Sequence, residues 1–187
     1  MSSQQFVSRA GDKLQFGLQH FNLNVTGLVC ADFGSSTGGF VDCLLKNGAA
    51  RVYAVETGYG VLDWKLRNDP KVVVKERTNA MHVELPEKVD LITNDTSWTR
   101  QEIIFPNILR NLNHGGKILT LIKPHYEADK KLLHKGVLEE KIAEKTAQDV
   151  IKRLEYLFPL KNMGLATSPL LGGKGGNTEY LALFQIQ

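Results

Sequence analysis

Apolar positions along this chain recur with two different periods. Leu14, Leu18 and Phe21 fall on one stripe, so 11–21 reads as a helix. Leu28 to Phe33 (LVCADF) is a short apolar run closed by Gly34, the pattern of a buried strand. Helix formers fill 41–47 and stop at Gly48. Arg51 to Glu56, the β-branched Lys71 to Glu76, and Val89 to Asp95 read as the second, third and fourth strands. A helix over 101–113 is expected to halt at His114-Gly115-Gly116, and Lys117 to Lys123 is a fifth strand ended by Pro124. The longest amphipathic helix is expected over 139–158, and two last strands over 160–168 and 178–186.

Short apolar strands alternating with helices predict an α/β fold. Its core would be a doubly wound, mostly parallel seven-stranded sheet covered on both faces. The last two strands follow one another without a helix, so a hairpin should make the final strand antiparallel. The glycine-rich 172–176 would be the mobile loop between them. The length, 187 residues, fits a single domain over 1–187 with a short tail at 1–7.

Composition narrows the class. No run is apolar enough to span a bilayer, and the first five residues lack the basic and apolar regions of a signal peptide. Cys30 and Cys43 make neither a CxxC nor a cluster with histidine, so no metal is expected and a cytoplasmic location is the default. Both read as small apolar fillers. The net charge of +3 permits a nucleic-acid partner without requiring one.

In doubly wound sheets ligands bind beyond the carboxyl ends of the strands, which directs attention to Asp32, Glu56, Asn79, Asp95 and Lys123. The turn after the first strand runs Asp32, Phe33, Gly34, Ser35, Ser36, Thr37, Gly38, Gly39, Phe40. Glycines there let backbone approach a ligand, and Glu56 can accept both hydroxyls of a ribose. Ser36 stands where the dinucleotide fingerprint needs its second glycine, and no P-loop lysine follows Gly39. A carboxylate at Asp32 suits a cationic sulfonium better than a pyrophosphate. The turn resembles the S-adenosylmethionine motif of class I methyltransferases.

The acceptor should then lie at the end of the fourth strand. Asp95-Thr96-Ser97-Trp98 lacks the paired prolines of enzymes that methylate base amino groups, and no cysteine is placed as a nucleophile. Lysine and carboxylate remain. Lys123, at the tip of an apolar strand, could deprotonate or orient a weakly acidic hydroxyl, with Lys13 as a second cation.

Ordered segments along nearly the whole chain resemble one family. Ser8 to Leu14 is similar to its SRGGxKL opening, Asp32 to Cys43 (DFGSSTGGFVDC) to its DxGxSTGGFTDC, and Tyr53 to Arg67 to YAVDVGYGQLxWKLR. Glu76 to Asn79 matches ERTN, Ile122 to Glu127 (IKPHYE) resembles IKPQFE, and Gly176 to Tyr180 resembles GNxEY. Together they resemble the methyltransferase domain of the hemolysin-A (TlyA-like) family, related to FtsJ-type RNA methyltransferases. The resemblance implies methyl transfer from S-adenosylmethionine to ribose 2′-hydroxyls of ribosomal RNA by a Lys-Asp-Lys-Glu tetrad. By motif these are Lys13, Asp95, Lys123 and Glu179. The cofactor would meet Asp32, Gly34, Ser35, Ser36, Gly38, Gly39, Phe40, Glu56, Asn79 and Asp95.

The sequence also departs from the pattern. Family members usually carry an S4-type RNA-binding domain first, whereas here the catalytic motifs begin almost at once. Asp95 to Arg100 (DTSWTR) replaces the family's DVSFISL, Ala10 replaces a glycine, and Glu56 replaces an aspartate. Trp98 is open to two readings, a base-stacking group or a core aromatic. RNA contact would rest on Arg9, Lys13, Lys65, Arg67, Arg100, Lys130, Lys131, Lys135 and Lys174. Two other functions stay open: a weakly catalytic S-adenosylmethionine- or RNA-binding module, and the membrane lysis that the family's name suggests.

Overall fold

The computed structural model describes residues 5–172 and 176–187. In chain order the elements are α1 (Ala10–His20), β1 (Val29–Phe33), α2 (Gly39–Lys46), β2 (Arg51–Val55), α3 (Trp64–Arg67) and β3 (Val72–Lys75). Then come β4 (Val89–Asn94), α4 (Gln101–Asn111), β5 (Leu112–Ile122), α5 (Pro124–Glu127), β6 (Leu133–His134) and β7 (Val137–Leu138). The chain closes with α6 (Glu140–Leu157), β8 (Leu160–Thr167) and β9 (Tyr180–Ile186).

Seven strands form one sheet in the order β3-β2-β1-β4-β5-β9-β8. The pairs β1–β2, β2–β3, β1–β4 and β4–β5 are parallel, while β9 runs antiparallel to both β5 and β8. The predicted architecture holds, including the reversed last strand. It holds because side chains along each central strand alternate between two dry layers. Ala31, Phe33, Ile92, Ile118 and Ile122 enter one layer with α4 and α6. Cys30, Leu91, Leu119 and Leu121 enter the other with α1 and α2. Burial pushes both cysteine thiols up to about 12, so they pack as inert apolar groups.

Three local features depart from the sequence reading. The helix before the fifth strand ends at Asn111, and β5 begins at once at Leu112. His114-Gly115-Gly116 is therefore an irregular strand entry rather than a helix stop. Gly115 takes φ +72°, and the β4–β5 register shifts between Val89 and Leu91. Second, a small hairpin, β6–β7, fills the connection to α6, turning on Lys135 and Gly136, both at positive φ. Third, part of the expected tail packs into the molecule. Phe6 is buried, and the Val7 N–H donates to Asp42 Oδ2 at 2.9 Å. The centre of the glycine loop, 173–175, lies outside the described residues, and Lys174 with it.

The order reverses between β1 and β4: the chain winds outward to β3, then returns to β4 on the other side of β1. The ends of these two strands splay toward opposite connections, which leaves a crevice at their carboxyl ends.

Candidate active site

Two clefts open at that end of the sheet and share a wall. The first, about 460 Å³, is lined by Gly34 and Ser36 after β1, Glu56 and Thr57 after β2, Thr78 to Met81, and Asp95 to Thr99 after β4. The second, about 1220 Å³, holds Lys13, Asp95, Lys123 and Glu179 together with Trp98, Tyr126 and the edge of the hairpin. Asp95, Ser97, Trp98 and Lys123 belong to both.

The four residues predicted as a tetrad thus meet in one cleft although they span most of the chain. They form two ion pairs. Lys13, buried on α1, donates to Glu179 Oε2 at 2.5 Å. Lys123 Nζ lies 2.5 Å from Asp95 Oδ1, in a contact without hydrogen-bond alignment. It also donates to the Asp95 carbonyl at 3.2 Å and to Ser97 Oγ at 3.0 Å.

Each side chain is held from below. Pro124 opens α5 directly after Lys123, where proline suits the first helical position. Glu127 at the end of that short helix accepts from the Gln101 N–H at 2.8 Å and from Arg153 at 2.7 Å, tying α5 to α4 and α6. Burial pushes its carboxyl up, and the Gln101 bond works against that. Asp95 continues β4, its N–H donating to the Phe33 carbonyl at 3.0 Å. Beneath it Asn94, Gln101 and Thr120 form a buried hydrogen-bonded group. Gly34 completes the support: at φ +85°, a Cβ there would stand 3.1 Å from the Asp95 carbonyl and the Thr96 nitrogen.

The predicted cofactor residues divide. Gly34, Ser36, Glu56, Asn79 and Asp95 line the smaller cleft. Glu56 is turned onto the glycine turn: Oε2 accepts from the Ser36 N–H at 2.8 Å, and Oε1 from Gly58 N–H at 2.8 Å and Thr57 Oγ1 at 3.1 Å. Asp32 is buried next to Gly34. Its Oδ1 accepts from Thr93 Oγ1 at 2.7 Å, whereas Oδ2 has no partner among the described residues. Burial pushes this carboxyl up to about 7, the Thr93 bond opposing.

Asp32, Ser35, Gly38, Gly39 and Phe40 do not line the cleft. The Ser35 hydroxyl closes the turn onto the Asp32 carbonyl at 2.8 Å, and Phe40 is core. A Cβ at Gly38 would lie 2.3 Å from Leu66, and one at Gly39 would lie 2.3 Å from Ser8 Oγ and 2.8 Å from Gly11 N. These two glycines let α2 press against α3 and α1.

Four contributors escaped the sequence reading: Ser97, Tyr126, Asn177 and Gly172. The first three lie inside motif segments, but their spacing alone carried no role. Trp98 is no core aromatic. It is 85% exposed, adopts φ +65°, and leans on Tyr126 with ring centroids 4.9 Å apart. Among the described residues no group of three or more His, Cys, Asp or Glu converges as a metal would require.

The smaller cleft fits a cationic nucleoside cofactor. It offers a glycine turn with no room for Cβ and a carboxylate over backbone amides; Asp32, whose Oδ2 has no partner among the described residues, is buried behind that turn. The larger cleft, about 1220 Å³, sets Lys13, Arg100, Lys123 and Lys130 beside Asp95, Asp129 and Glu179.

Comparisons with known proteins agree. A family model described as FtsJ-like methyltransferase matches residues 6–185. Hemolysin A of Brachyspira hyodysenteriae is 39% identical, over 97% of this chain and 78% of its own length. The 16S/23S rRNA (cytidine-2′-O)-methyltransferase TlyA of Mycobacterium tuberculosis is 38% identical, over 100% of this chain and 70% of its own. A solved Lactococcus lactis structure, provisionally named a hemolysin, matches at TM-score 0.93 and 35% identity, covering 99% of this chain and 90% of that one. The N-methyltransferase NodS of Bradyrhizobium japonicum, solved with S-adenosyl-L-homocysteine, shares the fold alone, at TM-score 0.65 and 14% identity over 94% of this chain and 86% of its own. A match of this extent, on a sheet whose crevice brings these charged groups together, makes the chain a member of the FtsJ-like methyltransferase family.

Proposed function

We propose that this protein transfers a methyl group from S-adenosylmethionine to a ribose 2′-hydroxyl of ribosomal RNA. The carrying observation is that the two clefts meet at Asp95 and Lys123. A donor in the smaller cleft and an acceptor in the larger would face each other across that pair. The names of the TlyA relatives support the acceptor.

Asp32, Gly34, Ser36, Glu56 and Asn79 would hold the cofactor. When bound, it supplies a methyl group on a sulfonium, activated for direct displacement. The protein must then align a hydroxyl oxygen and receive one proton. Lys123 Nζ is the group placed to meet that hydroxyl, and Asp95 fixes its direction. The hydroxyl would give up its proton to the Lys123–Asp95 pair, and the open cleft would let that proton leave. Lys13, held by Glu179, places a second cation toward the acceptor and its phosphates. Trp98 and Tyr126 offer an aromatic shelf on which a splayed base can stack.

Membrane lysis finds no support of this kind. The apolar stripe of α6, Ala143, Ala147, Val150, Ile151 and Leu154, is buried against the sheet. Among the described residues no helix is long and apolar enough to cross a membrane.

The test is transfer of tritium from labelled S-adenosylmethionine to naked rRNA and to separated ribosomal subunits, with Lys123→Ala alongside. Label in RNA that disappears in the variant, and that maps to a ribose, is the expected result. Cofactor binding without label on any substrate would favour a module without catalysis.

A further inference from the structure

The hairpin β6–β7 forms one rim of the acceptor cleft, with Lys130, Leu133 and Gly136 in its wall. Lys131, His134 and Lys135 are exposed on the same excursion, and Asp129 is the one carboxylate among them, capping the turn at Lys130–Leu132. A two-stranded hairpin has little stability of its own. Leu138, its last residue, is buried, and among the described residues a single polar side chain bonds its backbone. Asn177 Oδ1 accepts from the Leu138 N–H at 2.9 Å, and Asn177 Nδ2 donates to the Gly136 carbonyl at 2.9 Å.

Asn177 is 5% exposed and stands two residues before Glu179. Its own carbonyl accepts from the Gly172 N–H at 2.8 Å, and Gly172 is the residue whose Cβ would touch the Glu179 carboxylate. One amide therefore joins the substrate-side rim to the strand entry that carries a tetrad member. Both halves of the amide are used, so no other side chain of this size reproduces the pair of bonds.

We propose that Asn177 is a positioning residue: it registers the basic hairpin on the segment carrying Glu179, and so sets where the substrate strand lies over the four charged groups. The substrate half of this statement rests on the RNA reading above; the latch itself does not. Phosphates of the strand flanking the target nucleotide would meet Lys130, Lys131 and Lys135 only while the latch holds.

The experiment compares the full chain with Asn177→Ala in three readouts: amide hydrogen exchange, S-adenosylhomocysteine affinity, and steady-state methylation of rRNA. Exchange at Leu138 and along the hairpin should accelerate about tenfold, with the seven-stranded sheet and the S-adenosylhomocysteine affinity unchanged. The KM for RNA should rise about tenfold, while kcat changes by less than about threefold. Combining Asn177→Ala with Lys131→Gln and Lys135→Gln should raise KM by less than the product of the separate effects.

Unchanged exchange at Leu138 overturns the latch. Faster exchange with an unchanged KM overturns its role in placing substrate, as does full additivity with the lysine changes. Acceleration across the whole sheet makes Asn177 a folding residue and overturns positioning. If the unmodified protein methylates no RNA while Asn177→Ala still frees Leu138, the RNA reading and the substrate half fall together and the latch stands.

Discussion

Lys123 Nζ stands 2.5 Å from Asp95 Oδ1 at the seam where the two clefts join. The lysine directly follows β5 and the aspartate directly follows β4, so parallel pairing of adjacent strands delivers both to one edge. Removing either partner strands the other charge beside the reacting atoms. Lys123→Ala and Asp95→Asn should each lower methyl transfer by about 10²–10⁴-fold. Single-turnover rates at saturating cofactor check this. A wild-type rate for either would take the pair out of the chemistry.

Glu179 is aimed by a glycine as well as by Lys13. A Cβ at Gly172 would lie 2.3 Å from Glu179 Oε1, in a place already confined by the Lys13 bond. Gly172→Ala should therefore push the carboxylate off Lys13 and lower kcat at least tenfold, with cofactor affinity retained. Isothermal titration with S-adenosylhomocysteine beside turnover assays separates the two quantities. Equal loss of both would point to collapse of the cleft.

Asp32 predicts a pH dependence of cofactor binding. Its carboxyl, pushed up to about 7 by burial, is largely neutral below that pH and offers no charge to a cation. Affinity for S-adenosylmethionine should rise between about pH 6 and 8 and then level off. In the unliganded protein the sign is opposite. Because the folded value lies above the ordinary 3.8, ionising Asp32 costs the fold stability as pH rises from about 4 to 7. Titrations across this range in Asp32→Asn should show weaker binding with no such rise.

The glycine turn should separate into two kinds of effect. Gly39→Ala forces a methyl onto Ser8 and the Gly11 backbone, so it should destabilise the fold by about 1–3 kcal/mol. That corresponds to a melting point lower by roughly 2–12 °C for a chain of this size. Gly34→Ala instead strains a left-handed residue at the cleft and crowds Asp95, so it should impair both cofactor binding and turnover. Thermal melts with and without S-adenosylhomocysteine distinguish them. Comparable affinity loss in both variants would place Gly39 at the cofactor after all.

Trp98 carries the stacking prediction. Trp98→Ala should raise the KM for RNA by about 5–150-fold, the range of one base–aromatic stack, and Trp98→Phe should restore most of it. Trp98→Ala should melt close to the parent, because the ring is 85% exposed and packs only on Tyr126 at the surface. An unchanged KM in Trp98→Ala would remove the shelf from substrate binding.

Much of this architecture was legible in the order of residues. Strand cores such as LVCADF and KILTLIK are apolar on both faces, and only a sheet covered on both sides satisfies them. Asp95 and Lys123 followed from the same logic, since they stand where such strands end. The β6–β7 hairpin was not legible. Its strands are two residues each, too short for any period to show, and its turn is read only once Asn177 is seen to bind it.

Local chemistry was enough to mark the glycine turn, but not to apportion it. Gly34 and Gly39 look alike along the chain. One faces a cleft and the other a helix because packing of α1 on α2, through contacts more than twenty residues apart, decides which backbone is covered. Glu179 illustrates the same limit. Its motif marks it by resemblance, yet its partner is Lys13, 166 positions away. Periodicity and strand-end position are local properties that a chain carries in its order. Ion pairing, exposure and the shift of a buried carboxyl depend on which distant groups share the same few ångströms, and only the assembled sheet brings those groups together.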